Sequence, residues 1–267
     1  MIRVLSLGAG VQSSTLALLI EHGLVAPVDC AIFADTQWEP PEVYEWLDYL
    51  EKQVSFPIYR VTEGNLREAV LKNAKRSVTY KERYISIPVF VVQPNGDRGM
   101  VRRQCTHEFK VKPINRKKRE ILGYKPKMRI PPNSCTTLLG ISLDEYQRAR
   151  ISEEAWNTNE YPLIELRMTR WDCMLWLDKH GYPQPPKSSC IGCPFHSDHE
   201  WRKIKSNPTT WKDAVEMDEA IRHITGMRGT QYLHHSCQPL ATADLSTEED
   251  YGQLSLFGKE CFGLCGT

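Results

Sequence analysis

The chain has 267 residues, 41% of them hydrophobic and 25% charged, with 34 Lys and Arg set against 33 Asp and Glu. Length and composition allow a substantial core, as one domain or one domain plus a subdomain. No apolar run approaches the roughly 20 residues that cross a bilayer, and Met1–Leu7 reads as a buried strand without a secretory cleavage pattern, so no membrane partner and a cytoplasmic location are expected.

In chain order, Ile2 to Leu7 is a continuous apolar run that fits a central parallel strand. A helix follows from Ser13 to His22, stopped by Gly23. A second strand, Cys30 to Ala34, ends at Asp35-Thr36, and Pro40-Pro41 opens the next helix with Val43, Leu47, Leu50 and Val54 on one face. Ile58 to Val61 makes a third strand, and Asn65 begins a third helix. Strands alternating with helices predict an α/β fold, a doubly wound and mostly parallel sheet covered on both faces, with its ligand at the carboxyl ends of the strands. Further on, Ile85 to Val92 predicts a strand or hairpin arm before the turn Pro94–Asp97. Phe109 to Leu122 predicts a basic helix with Pro113 in its first turn, and Thr137 to Ile141 a buried strand. Thr169 is a candidate N-cap for a helix over Arg170–His180. Tyr182 to Cys193 reads as an ordered loop, Pro208 to Ile224 as a last helix capped by Asn207, and the tail from Thr242 as sparse in apolar residues. The expected division is a nucleotide-binding domain over 1–195 and a helical extension with a cysteine-containing tail over 196–267.

Two segments carry chemistry. In Ser6-Leu7-Gly8-Ala9-Gly10-Val11-Gln12-Ser13-Ser14, small residues let the backbone approach phosphate oxygens, and the helix that begins there offers N–H groups and a favourable dipole to an anion. No Gly-Lys-Ser/Thr follows, so the turn is not of the Walker type. Asp35 and Thr36, at the end of the neighbouring strand, would face the same crevice. The second segment is Cys190-Ile191-Gly192-Cys193-Pro194, read with Arg103-Gln104-Cys105-Thr106. Two cysteines two residues apart suit a redox dithiol, half a zinc site or part of an iron–sulfur site. Nine cysteines in a reducing compartment point away from disulfides; Cys30 and Cys173 read as buried hydrophobes. Between Arg98 and Arg129 lie twelve Lys and Arg opposed by Glu108 and Glu120, which suits either a solvated helical face or a polyanion surface, nucleic acid included.

These residues together resemble the phosphoadenosine phosphosulfate (PAPS) reductase family of the PP-loop, or adenine nucleotide alpha-hydrolase-like, superfamily. The resemblance runs over roughly Met1 to Phe195. It rests on Ser6–Ser14; on Phe33–Tyr44 with its Asp35-Thr36 and Pro41-Glu42; on Arg103-Gln104-Cys105-Thr106 with Lys110, Lys112 and Pro113; on Gly140-Ile141-Ser142 with Asp144, Glu145 and Arg148; on Tyr161-Pro162-Leu163; and on the Cys190/Cys193 pair. The chain departs from it where ATP pyrophosphatases carry an acid and this chain has Gln12, and where cluster-bearing reductases carry a second adjacent cysteine and this chain has Gln104. The tail reads Lys259-Glu260-Cys261-Phe262-Gly263-Leu264-Cys265, close to the family's glutamate-cysteine motif.

The resemblance implies an adenine nucleotide, either PAPS or APS or else ATP with Mg, bound by Ser6, Gly8, Gly10, Gln12, Ser13, Asp35, Thr36, Gly140, Ser142 and Arg148. It implies a [4Fe-4S] cluster on Cys105, Cys190 and Cys193, with the fourth ligand from Cys261, Cys265, Cys135, Cys237 or a non-protein group. Zinc is the alternative, since His107, His196 and His199 flank the cysteines. Cys261 and Cys265 are candidate catalytic thiols. The implied activity is sulfur transfer by an oxidoreductase or sulfurtransferase, with a thiol reductant or sulfur-donor protein as partner. ATP-dependent thiolation of a nucleic acid and a non-catalytic nucleotide- or metal-binding role are the alternatives.

Overall fold

The computed structural model describes residues 1–75, 86–224, 226–247 and 250. The described residues form two compact units, each assembled from two stretches: 1–63 with 109–188, and 64–108 with 189–250.

The first unit is built on a five-stranded parallel sheet. Its strands are β1 (Ile2–Leu7), β2 (Cys30–Ala34), β3 (Ile58–Val61), β6 (Cys135–Leu139) and β7 (Asn157–Glu160), in the order β3-β2-β1-β6-β7. Side chains alternate across the sheet, and both faces are covered, as continuous apolar strands require. Leu5, Leu7, Ala31 and Phe33 pack with helices α1 (Val11–Glu21), α2 (Pro41–Leu50) and α6 (Arg170–Lys179); Val4, Cys30, Ile32 and Ala34 pack on the other face with Ile114 of α4 (Lys112–Ile121). The fold is therefore α/β with helices on both faces, as the strand–helix alternation predicts.

Local sequence explains most boundaries. Pro41 stands in the first turn of α2, where its missing N–H is no loss. Thr169 and Asp172 form a reciprocal capping box at the start of α6, and Gly181 follows it with φ +75°. Several elements differ from the sequence reading. α1 starts two residues earlier, the strand expected before the Pro94–Asp97 turn is Phe90–Val92, the basic helix opens with a π turn, and the last helix ends at Ala220. Two further differences have a clear cause. Strand β6 begins and ends two residues earlier than expected, because Gly140–Ser142 leave the sheet. Strand β7, Asn-Thr-Asn-Glu, has no apolar alternation to announce it. It pairs in register with Cys135–Leu138, Glu160 takes a salt bridge from Arg3 at 2.9 Å, and Asn157 bonds Thr137.

The second unit contains α3 (Leu66–Lys75), a three-stranded antiparallel sheet of β4 (Phe90–Val92), β5 (Arg98–Met100) and β8 (Thr230–Tyr232), and helices α7 (Asp198–Lys205) and α8 (Pro208–Ala220). The turn at Pro94–Asp97 joins β4 to β5, with Gly96 at φ +88°. Asn207 caps α8 by accepting from the N–H of Thr209 and Thr210. A short π-helical turn, His107–Val111, leads into α4. No helix among the described residues is long and apolar enough to cross a membrane.

Candidate functional site

The strand order reverses direction between β1 and β6, and in open parallel sheets that crevice, at the carboxyl ends of the strands, is where ligands sit. The loops after β1 and β6 meet there. Ser13 Oγ accepts from Gly8 N at 3.2 Å and donates to the Gly10 carbonyl, while Ser14 N opens the helix on the same carbonyl at 3.0 Å. Gly10 is the N-cap of α1, so no side chain caps this helix end, and no acidic residue lies in its first turn. Its positive end is thus left to another anion.

Two left-handed non-glycine residues lie at this edge. Ala9, fully buried, holds φ +57° just past β1, and Gln37 holds φ +56° just past β2. Left-handed conformations cost a non-glycine residue about 1–2 kcal/mol, and such outliers gather at ligand sites.

Gly140 has a packing role. A Cβ placed on it would lie 2.7 Å from Ser13 Cα and 2.8 Å from Ser13 N, so the absence of a side chain lets the end of β6 press against the first turn of α1. Gly10 differs: a Cβ there would meet Ser188 Cβ at 3.9 Å, an ordinary contact.

Around this turn runs a polar network. Arg170 donates to Gln12 Oε1 at 2.9 Å, and Gln12 Nε2 donates to Glu145 Oε2 at 3.2 Å and reaches Ser142 Oγ at 3.5 Å. Glu145 also accepts from Arg148 at 2.5 Å. Gln12, Ser13, Ser142 and Arg148 are thereby gathered with Gly8, Gly10 and Gly140. Ser6 lies one strand position away, paired with Ile32 and Leu139. Asp35 faces its own helix, accepting from Gln37 N at 2.7 Å and from the Tyr44 hydroxyl at 2.9 Å. Burial, reinforced by that carboxylate, pushes the Tyr44 phenol upward and keeps it a donor. Thr36 is buried beside it.

Sequence reasoning passed over Glu39, Ser188 and Arg170 as site residues. The Glu39 side chain is fully buried, with Lys110 Nζ at 3.5 Å and Ser188 Oγ at 3.4 Å. A buried carboxylate requires such partners. Its signal was its place between Asp35-Thr36 and two prolines that open a helix.

Within the basic segment, the charges of α4 are engaged by the chain itself. In α4, Arg116 and Lys112 pair with Glu63 at 2.6 and 3.3 Å, Lys117 pairs with Glu120 at 2.7 Å, and Arg119 donates to the carbonyls of Lys125 and Met128. Lys118 is buried.

Cys105, Cys190 and Cys193 all fall in the second unit, and none of the three is in a disulfide. Cys190 is buried, and the turn to Cys193 is closed by Cys193 N donating to the Cys190 carbonyl at 3.0 Å; His196 Nε2 lies 3.0 Å from the same carbonyl. Cys190 and Cys193 thus share a closed turn, but the sulfurs of Cys105, Cys190 and Cys193 do not all lie within 4.8 Å of one another, so they form no single-ion trio. Soft thiol donors match an iron–sulfur group by their chemistry. Cys30 and Cys173 are buried, as read. Cys135 is buried at the start of β6 in the first unit, and Cys237 is half-buried in the second. Cys261 and Cys265 lie outside the described residues.

No protein-family model and no curated protein sequence matches the chain. Among solved structures it is similar to the phosphoadenylyl-sulfate (PAPS) reductase from Candida auris, in its phosphate complex. The two share 16% identity over 69% of this chain and 75% of that one, with a TM-score of 0.43. A likeness at that level assigns no role to any residue.

Proposed function

We propose that this chain is a PAPS-reductase-like sulfur-transfer enzyme that binds an adenine nucleotide at the carboxyl edge of the β1–β6 pair. The observation that carries the reading is the uncapped N-terminus of α1 behind the strained Gly8-Ala9-Gly10 turn, with Arg170 held on Gln12 of its first turn and Arg148 on Glu145, which Gln12 also bonds. A phosphate or sulfate group would complete the orphan N–H groups of that helix. Gln12, where a carboxylate would recruit Mg, favours a sulfonucleotide over ATP; the engaged charges of α4 favour it over a nucleic-acid substrate. Cys105, Cys190 and Cys193 would hold the iron–sulfur group, which supplies a soft, thiolate-bound metal centre. Cys261 would attack the sulfonate sulfur, breaking its bond to the phosphate oxygen, and Cys265 or an external thiol would then release sulfite with formation of a disulfide.

Calorimetry with PAPS, APS and ATP, together with sulfite-release and pyrophosphate-release assays, tests the reading. Sulfite from PAPS or APS is the expected product; pyrophosphate from ATP alone would overturn it. Because a Cβ on Gly10 would make only ordinary contacts with Ser188, Gly10→Val should keep the fold while weakening nucleotide binding at least tenfold, about 1.4 kcal/mol. Unchanged affinity would remove this turn from the site. Protein prepared without oxygen should contain iron and absorb in the visible, and Cys190→Ser should lose both; stoichiometric zinc in their place would sink the cluster.

A further inference from the structure

The second unit contains a cluster that the sulfur chemistry does not use. Asp198 is the first residue of α7, whose N-cap is Ser197; the Ser197 hydroxyl accepts from Glu200 N, which leaves the Asp198 carboxylate available. His234 Nε2 lies 2.8 Å from Asp198 Oδ1, and His235 Nδ1 lies 3.9 Å from the same oxygen. Among the described residues, this is the one trio of His, Cys, Asp or Glu whose ligand atoms all lie within 4.8 Å of one another. The geometry points to a zinc-class metal site formed by Asp198 Oδ1, His234 Nε2 and His235 Nδ1, with a fourth position for water, tying the start of α7 to the 233–240 loop.

Three features argue for it. Ligands held at about 2.0–2.1 Å in a tetrahedron stand roughly 3.3 Å apart, so the 2.8 and 3.9 Å separations bracket what one ion needs. A metal-bound imidazole needs a partner for its other nitrogen, and His234 Nδ1 has Ser236 Oγ at 2.7 Å. On metal uptake the His234 proton would move from Nε2, where it faces Asp198, to Nδ1, where Ser236 Oγ accepts it in exchange for the longer 3.3 Å bond that Ser236 N donates to Nδ1. The loop is also held in place before any ion arrives. Buried Asp218 accepts from Leu233 N at 2.8 Å and from Leu240 N at 2.9 Å, and is itself paired with Arg222. His234 is 1% exposed and His235 55%, so two donors are fixed and the third can swing from solvent to close the shell.

The test uses full-length protein stripped with chelator and titrated with cobalt(II) chloride, then with zinc chloride. Cobalt on oxygen and imidazole ligands gives visible d–d bands without the near-ultraviolet sulfur-to-cobalt charge transfer that thiolates add, so this site is read apart from the cysteines. One equivalent of the first kind, displaced by zinc and accompanied by a higher Tm, is expected. Asp198→Asn, which can still accept the His234 hydrogen bond, and His235→Ala should each weaken it more than about 100-fold, while Cys190→Ser leaves it unchanged. Thiolate-type spectra alone, or full cobalt affinity in Asp198→Asn with wild-type Tm, would overturn the site.

Discussion

Gly140→Ala should destabilise the first unit by about 3 kcal/mol and abolish nucleotide binding in whatever fraction folds. The added methyl would meet Ser13 Cα at 2.7 Å and Ser13 N at 2.8 Å, and both are backbone atoms of a helical turn that cannot rotate away. Overpacking typically costs about 1–3 kcal/mol, and here relief requires moving either the end of β6 or the start of α1. Either movement would displace the Gly8–Gly10 turn. Urea denaturation gives the stability change and calorimetry the binding change. Paired with Gly10→Val, which should lose binding without losing stability, the experiment separates packing from ligand contact. A Gly140→Ala protein with a wild-type midpoint would show that the two loops are not pressed together.

Lys118→Met should raise stability at pH 7 by about 2 kcal/mol, with the gain vanishing by about pH 10 to 11. Lys118 is 4% exposed, with Nζ 2.6 Å from Thr137 Oγ1 and 3.4 Å from Asn157 Oδ1. Burial is the main cause that pulls its ammonium down from 10.5 to about 8, against the opposing pull of Cys135, Glu154 and Cys30. The folded state therefore releases this proton more readily than the unfolded chain does. Below pH 8 the buried charge opposes folding, and the penalty fades as pH rises from about 8 to 10.5. A depression of that size corresponds to roughly 3 kcal/mol. Methionine forfeits part of it with the lost hydrogen bonds, although Thr137 and Asn157 still bond each other at 2.5 Å. The neighbouring Cys30 thiol, pushed up to about 11 chiefly by burial, contributes stability that is lost above pH 9. Lys118 lowers that thiol, so its removal pushes Cys30 further up, and the comparison at pH 7, where Cys30 is protonated in both proteins, is the cleaner one. Denaturation curves of both proteins at pH 7 and pH 10 decide the matter. A variant less stable than wild type at pH 7 would mean that the ammonium stabilises its surroundings.

The parallel sheet was legible because burial on both faces leaves β1 and β2 with unbroken apolar runs, and because Pro41, Gly96, Thr169 and Asn207 mark boundaries by local chemistry. Strand β7 was not legible, since its stability comes from pairing and from partners such as Arg3 and Thr137 that are distant in sequence. The same reason hid part of the site. The Gly8–Ser14 turn could be read from spacing, whereas the enclosure of Glu39 by Lys110 and Ser188 depends on residues 71 and 149 positions away. Gly140 was visible as a residue of interest, but its reason, contact with Ser13, appears only when two loops meet. Asp198, His234 and His235 carry no metal-binding spacing, because their proximity depends on how the 233–240 loop is anchored by Asp218.

The strand order has a consequence for how this protein is made. β1 sits at the centre of its sheet, with β2 on one side and β6 on the other, yet β1 ends at residue 7 and β6 begins at residue 135. A ribosome adding roughly 5–20 residues per second would leave one edge of that central strand unpaired for roughly 6–25 s after β1 emerges. Any pairing of β1–β3 during that interval would leave a hydrophobic open edge, the kind of surface that recruits a second copy or a chaperone. The innermost strand of the finished molecule is thus the most vulnerable one during its synthesis, and yield in the cell should depend on translation speed between residues 7 and 139.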